Sequence, residues 1–240
     1  MGCASTRQEL SCEEQSILQQ QDQLEFFKNS CKLIDFALRK YSYNGYINEH
    51  QWTDAGSLLE IKTISTPQCP KCSEFYNLFK DEGKLRFKEI LVLGTLLSSG
   101  TPKQKAKLLF ELEDPEDLGE LSSSQVLDLI HLIVDISAQK IPSLVSDKIS
   151  PPASEKAVQK YSQQLKEYAE QVTPNLLEIF MGGKNHDSVK KAVFVSYFGE
   201  EEAARLVSPY GVRNFLLKVG KETQKQNQLQ IGTDNSTQGL

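Results

Sequence analysis

The chain opens Met1-Gly2-Cys3-Ala4-Ser5-Thr6. Removal of Met1 would leave Gly2 as a free amine followed by small residues, with Thr6 where N-myristoylation signals carry Ser or Thr. One myristoyl chain holds a bilayer only marginally, at about 10⁴ M⁻¹, so a stable anchor needs a second signal. Between Gly2 and Glu14 the only base is Arg7. A polybasic second signal is therefore missing there, and S-palmitoylation of Cys3 is the expected one. Cys69-Pro70-Lys71-Cys72 has the spacing of half a zinc site or of a redox dithiol. Zinc needs two further ligands at matched spacing, His50 stands without a second pair, and a thioredoxin-type strand-helix context is missing; the segment reads as a linker. His131 falls on an apolar helix face, which suits a hydrogen-bonded core or groove histidine better than a ligand. No Ser-His-Asp arrangement, P-loop or glycine-rich dinucleotide fingerprint occurs, so the expectation is a protein that is not an enzyme.

The 240 residues carry 27 Lys and Arg against 32 Asp and Glu, a net charge of -5. Nucleic-acid binding calls for a concentrated basic face, whereas these lysines are spread among carboxylates; no nucleic-acid partner is expected. The longest apolar runs, Ile90 to Leu97 and Leu127 to Val134, fall far short of the roughly 20 residues that span a bilayer. Five cysteines, unevenly placed, make no disulfide framework and imply a reducing, cytosolic setting.

Helical periodicity dominates the pattern. Residues 8 to 24 read as a polar spacer helix. A first core helix is expected from Glu25 to Arg39, with Phe26, Phe27, Leu33, Ile34, Phe36, Ala37 and Leu38 as a broad apolar stripe. Further helices are expected from about Glu49 to Ile61, Ser73 to Phe79, Arg86 to Leu97 and Pro102 to Glu113. The last of these has Thr101 as N-cap and Pro102 at the first helical position. Ser122 caps the next helix. Helices from Ser154 to Val172 and Pro174 to Phe180, from Val189 to Phe198, from Gly199 to Leu206 and from Tyr210 to Val219 complete the series. Trp52, Phe75, Phe79, Phe87 and Phe110 are expected in the core. The glutamine-rich residues 221–240 read as a disordered tail.

Three loops share a glycine, any residue, an aliphatic and a polar residue: Gly45-Tyr46-Ile47-Asn48, Gly83-Lys84-Leu85-Arg86 and Gly119-Glu120-Leu121-Ser122. A calcium-binding EF-hand loop has glycine at its sixth position, where the chain turns through positive φ. An apolar residue at the eighth pairs with the neighbouring loop. On these residues, and best over Phe87 to Ile133, the chain resembles the EF-hand superfamily. The nearest likeness is to the four-handed, N-terminally acylated sensors of the neuronal calcium sensor and calcineurin-B-like type. The resemblance implies an all-α, EF-hand-like fold: two pairs of helix-loop-helix units with short β-bridges between loops. It divides the chain into an acylated segment and spacer at 1–24, a first pair at 25–100, a second pair at 101–220 with an internal linker at 140–175, and the tail.

Calcium takes six to eight oxygens from loop positions 1, 3, 5, 7 and 9 and a bidentate Glu at 12. In the third loop the implied ligands are Asp114, Glu116, Ser122 and Gln125, with Glu120 supplying position 7; Leu118 at position 5 offers no oxygen. Gln125 gives at most one oxygen where two are needed, so this is at best a weak site. In the first loop Lys40 places a cation at position 1, and Ser42, Asn44, Asn48 and Gln51 are neutral. The second loop keeps Glu89 at position 12, but only three residues separate Phe79 from Gly83 where the family has five. The fourth candidate, Gly182 to Val193, has His186 at position 5 and Asp187 in place of glycine. Weak or lost calcium binding is the expectation.

The same resemblance implies a protein partner. An amphipathic target helix would lie in an apolar groove formed by Ile90, Leu93, Leu129, Ile133 and Phe194, unless the chain's own extra helices fill it. The resulting expectation is an adaptor at the cytoplasmic face of a membrane, touching the lipid through its acyl chains. A working calcium switch and a structural part of a cytoskeletal or ciliary assembly are the alternatives.

Overall fold

In the computed structural model the described residues are 10–65, 70–149, 151–183 and 187–234. Gly2 and Cys3, Cys69 and His186 lie outside them. The protein is all-α, with twelve helices among the described residues and five strands of two or three residues.

The N-terminal helix α1, Cys12–Gln21, is followed by two 3-10 turns, and α2 begins only at Cys31 and runs to Tyr41. Ser30 sets that start, because its hydroxyl accepts the Leu33 N–H; a Ser at N-cap satisfies an amide that helix geometry leaves free. Phe26 is therefore in a turn. The expected stripe is also narrower than periodicity suggests: Ile34, Ala37 and Leu38 are buried, while Phe27, Leu33 and Phe36 are exposed. Helix α3, Glu49–Leu58, follows strand β1, Tyr46–Ile47. Its capping box joins Asn48 and Gln51 at 2.8 and 2.9 Å.

After the short helix α4, Lys62–Ser65, comes α5, Pro70–Asn77. Strands β2, Lys80–Asp81, and β3, Lys84–Arg86, then lead into α6, Phe87–Leu97. Tyr46 pairs with Arg86 and Ile47 with Leu85, so β3 lies between β1 and β2. Trp52, Tyr76, Phe75 and Phe79 stack edge-on in sequence, with ring centroids 5.1–5.5 Å apart. That geometry favours aromatic pairs.

Thr101 caps α7, Pro102–Glu113, with Gln104 completing a capping box and Pro102 in the first turn, as the sequence indicates. Strand β4, Glu120–Ser122, leads into α8, Ser123–Asp135, under a second box formed by Ser122 and Gln125. A π-helical turn, Ile136–Lys140, and two 3-10 turns lead to Ser154. The linker ends there, because α9 is a single helix, Glu155–Phe180, that runs through Pro174. Proline costs the helix one hydrogen bond. The buried residues Tyr168, Val172, Leu176 and Phe180 continue one stripe at i, i+4 spacing on both sides of it, and their packing outweighs that loss. Strand β5, Ser188–Lys190, pairs with β4, and α10 begins only at Lys191 and ends at Tyr197.

Helix α11, Glu201–Arg205, and α12, Pro209–Asp234, end the chain. Helix α12 extends past Val219 into the glutamine-rich segment that composition assigns to a disordered tail. Gln, Lys, Glu and Leu are good helix formers, so extending an existing helix costs little. It packs on α8 and α9, where Gly220 is so close to Tyr168 that an added Cβ would lie 2.4 Å from the ring. No helix among the described residues is long and apolar enough to cross a membrane.

Candidate functional site

In the first loop Asn44 and Gly45 both have positive φ, 49° and 79°. Tyr43 and Tyr46 exchange both backbone hydrogen bonds, at 2.8 and 3.0 Å. This is a two-residue hairpin turn of the type whose twist matches its strands. Glu82 and Gly83, at φ 47° and 78°, make the same turn between β2 and β3. The second loop, too short for a full ring of ligands, is thus closed by its own main chain.

The third loop closes differently. Asp117 and Gly119 have φ of 52° and 77°. The Asp114 carboxylate accepts the Leu118 N–H on one oxygen and the Gly119 N–H on the other, each at 2.8 Å. Gln125 is occupied as well. Its Oε1 accepts from the Ser122 backbone N–H and hydroxyl, both at 3.0 Å, and its amide donates to the Glu113 carbonyl at 3.0 Å. Glu120 accepts a hydrogen bond from the Ser188 hydroxyl across the β4–β5 pair, and Glu116 points to solvent.

Glu89 does not face a loop. Arg86 binds it at 2.5 Å, and Lys140, from the turn after α8, reaches it at 2.7 Å. Lys140 also touches Asp135 at 2.8 Å and sits 4.8 Å from the Phe79 ring centroid. Near the third loop, Lys191 lies 2.9 Å from Glu111 and 3.5 Å from Asp117. The hydrogen bond to Glu111 raises its pKa above the ordinary lysine value. Burial raises Glu113, with Lys88 at 2.7 Å pulling the other way. Glu89, Glu111, Glu113 and Asp117 each thus have a lysine or arginine beside them. Of the candidate ligands, Asp114 is engaged by loop amides, Gln125 by Ser122 and the Glu113 carbonyl, and Glu89 by Arg86 and Lys140, whereas Glu116 is exposed. Among the described residues no group of three or more His, Cys, Asp and Glu is placed to hold a metal.

The five residues expected to line a groove are core. Ile90, Leu93 and Leu129 are 0% exposed, as is Phe194, and Ile133 is 1%. Phe194 stacks with Phe110, Phe180 and Phe198, and α8 is covered by α9 and α12. These positions are covered by the chain's own helices: α6 packs on α2, α7 and α8, α8 on α9 and α12, and α10 on α7 and α9. His131 is exposed rather than core. His50 is exposed and lies 3.1 Å from Asp54. Cys72 is buried in the core around Phe75.

Two clusters escape sequence reasoning. Arg213 of α12, fully buried, makes a bidentate pair with Glu14 of α1, at 2.7 Å on both contacts, and donates to the Ser137 carbonyl at 3.1 Å. Tyr161 of α9 donates to the same Glu14 carboxylate at 2.5 Å; burial, and then the Glu14 charge, raises the Tyr161 pKa above its usual value. The second cluster centres on buried Lys105. It donates to the Leu96 carbonyl at 2.8 Å and to the Val207 carbonyl at 3.5 Å, and burial lowers its pKa to about 8. A charged residue inside an apolar stripe, such as Arg213 between Val212 and Phe215, is the sequence signal for the first cluster; its partner, 199 residues away, has none. No family model matches the chain, and no curated protein matches it.

Proposed function

We propose that this chain is a non-catalytic, EF-hand-like adaptor, tethered to the cytoplasmic face of a membrane through acylated Gly2 and Cys3. Its loops are held by internal hydrogen bonds instead of calcium. The observation that carries the reading is the pairing of loops. Each of the first three helix-loop-helix units turns at a glycine of positive φ. The second unit's strand pairs with the first's, as β3 with β1, and the fourth's with the third's, as β5 with β4. That is the arrangement expected of two pairs of hands. The occupied Asp114, Gln125 and Glu89 side chains support the loss of ion dependence. In this reading the apolar cleft has its own chain as occupant, and an amphipathic target helix would have to displace α12.

Isothermal titration of the full chain with calcium, against a chelator-treated control, tests the reading. The expected result is no binding with a dissociation constant below about 10 µM and no shift in unfolding temperature. A tighter site accompanied by a change in helix packing would replace the adaptor with a calcium switch. Cell fractionation of Gly2→Ala is expected to release the protein from membranes. Retention in the same fraction would favour the structural role in a cytoskeletal or ciliary assembly.

A further inference from the structure

We infer that the exposed face of α2 is a second membrane contact, at which Phe36 and the cations around it engage an anionic lipid surface. On α2, Phe36 is 58% exposed and Leu33 38%, although the opposite side of the helix is buried, and Phe27 in the turn before it is 51% exposed. On an α-helix, residues three and four apart are neighbours. Lys32 and Lys40 therefore lie one turn to either side of Phe36, Arg39 and Leu33 beside it, and the aromatic ring is surrounded by positive charge.

From Phe27 to Lys40 the chain has four cations and one carboxylate, within a protein of net charge -5. Asp35 is taken by Arg39 at 2.7 Å and Lys28 is held by Glu25. Lys32 and Lys40 have no carboxylate partner among the described residues; Lys40 lies 4.9 Å from the Tyr41 ring centroid. Exposed aromatic and aliphatic side chains on one face of a helix, flanked by lysines, are the composition of an interfacial surface. Charge complementarity points to acidic headgroups. One myristoyl chain plus a basic patch makes a stable anchor, and the residues after Gly2 hold a single base, so the folded face would supply what the terminal segment lacks. In that purpose the inference rests on the tethering reading, but the face is tested without acyl chains.

The full, unacylated chain is sedimented with vesicles of phosphatidylcholine alone and of phosphatidylcholine with phosphatidylserine. Binding is expected only to the latter. Each cation near such a surface contributes about a five-fold change in partitioning. Lys32→Glu with Lys40→Glu should thus weaken binding by about 25-fold or more, and Phe36→Ser should weaken it too, with circular dichroism and unfolding temperature unchanged. Lys160→Glu with Lys166→Glu, at exposed sites on α9, changes net charge equally and should leave binding intact. Equal loss in both double variants, or binding that ignores lipid charge, overturns the inference. So does a dimer-to-monomer shift in Phe36→Ser without vesicle binding, which would give the face to a second copy. If Gly2→Ala stays membrane-bound in cells while the α2 variants lose vesicle binding, the face stands and the acyl tether fails; the reverse pattern keeps the tether and removes the face.

Discussion

The first and third loops reach the same shape by different means. In the first, as in the second, two residues of positive φ and a pair of main-chain hydrogen bonds close the turn, and side chains matter little. In the third, one carboxylate gathers two amide hydrogens. Polar side chains also join helices far apart in the chain, with Glu14, Tyr161 and Arg213 fastening α1, α9 and α12 together. Helices α3 and α5 are instead fastened by stacked rings around Phe75. A loop closed by the backbone tolerates substitution and pH; one closed by a carboxylate depends on a particular residue and its charge.

The largest expected effect tests this dependence at the buried ion pair. Arg213→Ala leaves the Glu14 carboxylate uncompensated in a site with little access to water and should cost about 3–5 kcal/mol in denaturant unfolding. Replacing both partners by Met should recover most of that; a loss below about 1 kcal/mol for the single variant would break the contrast. Next, Asp114→Ala removes an ionised acceptor from two amides, for about 2–3 kcal/mol. Asp114→Asn, with one carbonyl oxygen left, should fall between Ala and wild type.

Buried Lys105 gives a pH signature. Lys105 joins the end of α6 to Val207. With a folded pKa of about 8 against the usual 10.5, the unfolded chain holds more protons between those values, and stability rises with pH through that window. Wild type minus Lys105→Met should show a gain of about 2 kcal/mol from pH 8 to 10, read by thermal or urea unfolding; a flat difference would refute it. The smallest effect belongs to the backbone-closed turns. An added Cβ at Gly45 or Gly83 meets nothing within 4 Å, so Gly→Ala should cost only the positive-φ strain, about 1 kcal/mol. A cost at Gly83 as large as that of Asp114→Ala would erase the distinction.

Much of the scaffold is legible in the residues. The glycine triplets locate three of the four loops, and Thr101 and Ser122 mark helix starts because an N-cap is a local, side-chain-to-backbone event. The failures are non-local. Periodicity puts Phe36 on an apolar stripe, but whether that stripe is covered depends on which helices reach it. Pro174 reads as a boundary until the continuous spacing of Tyr168, Val172, Leu176 and Phe180 is weighed against one missing N–H. The groove residues are correctly apolar, yet nothing in their spacing shows that α12 folds back over α8. The arrival of Lys140 at Glu89, 51 residues away, is likewise a property of the fold that no spacing announces.

The buried pairing of Glu14 with Arg213 also imposes an order on biosynthesis. Helix α1 also packs on α9 and on the turn Ile141–Leu144, so it has partners before the last helix is translated, but the Glu14 charge gains its guanidinium only after residue 213 is made. A chain truncated ahead of residue 213 would keep the Glu14 carboxylate beside Tyr161 but without its buried cation.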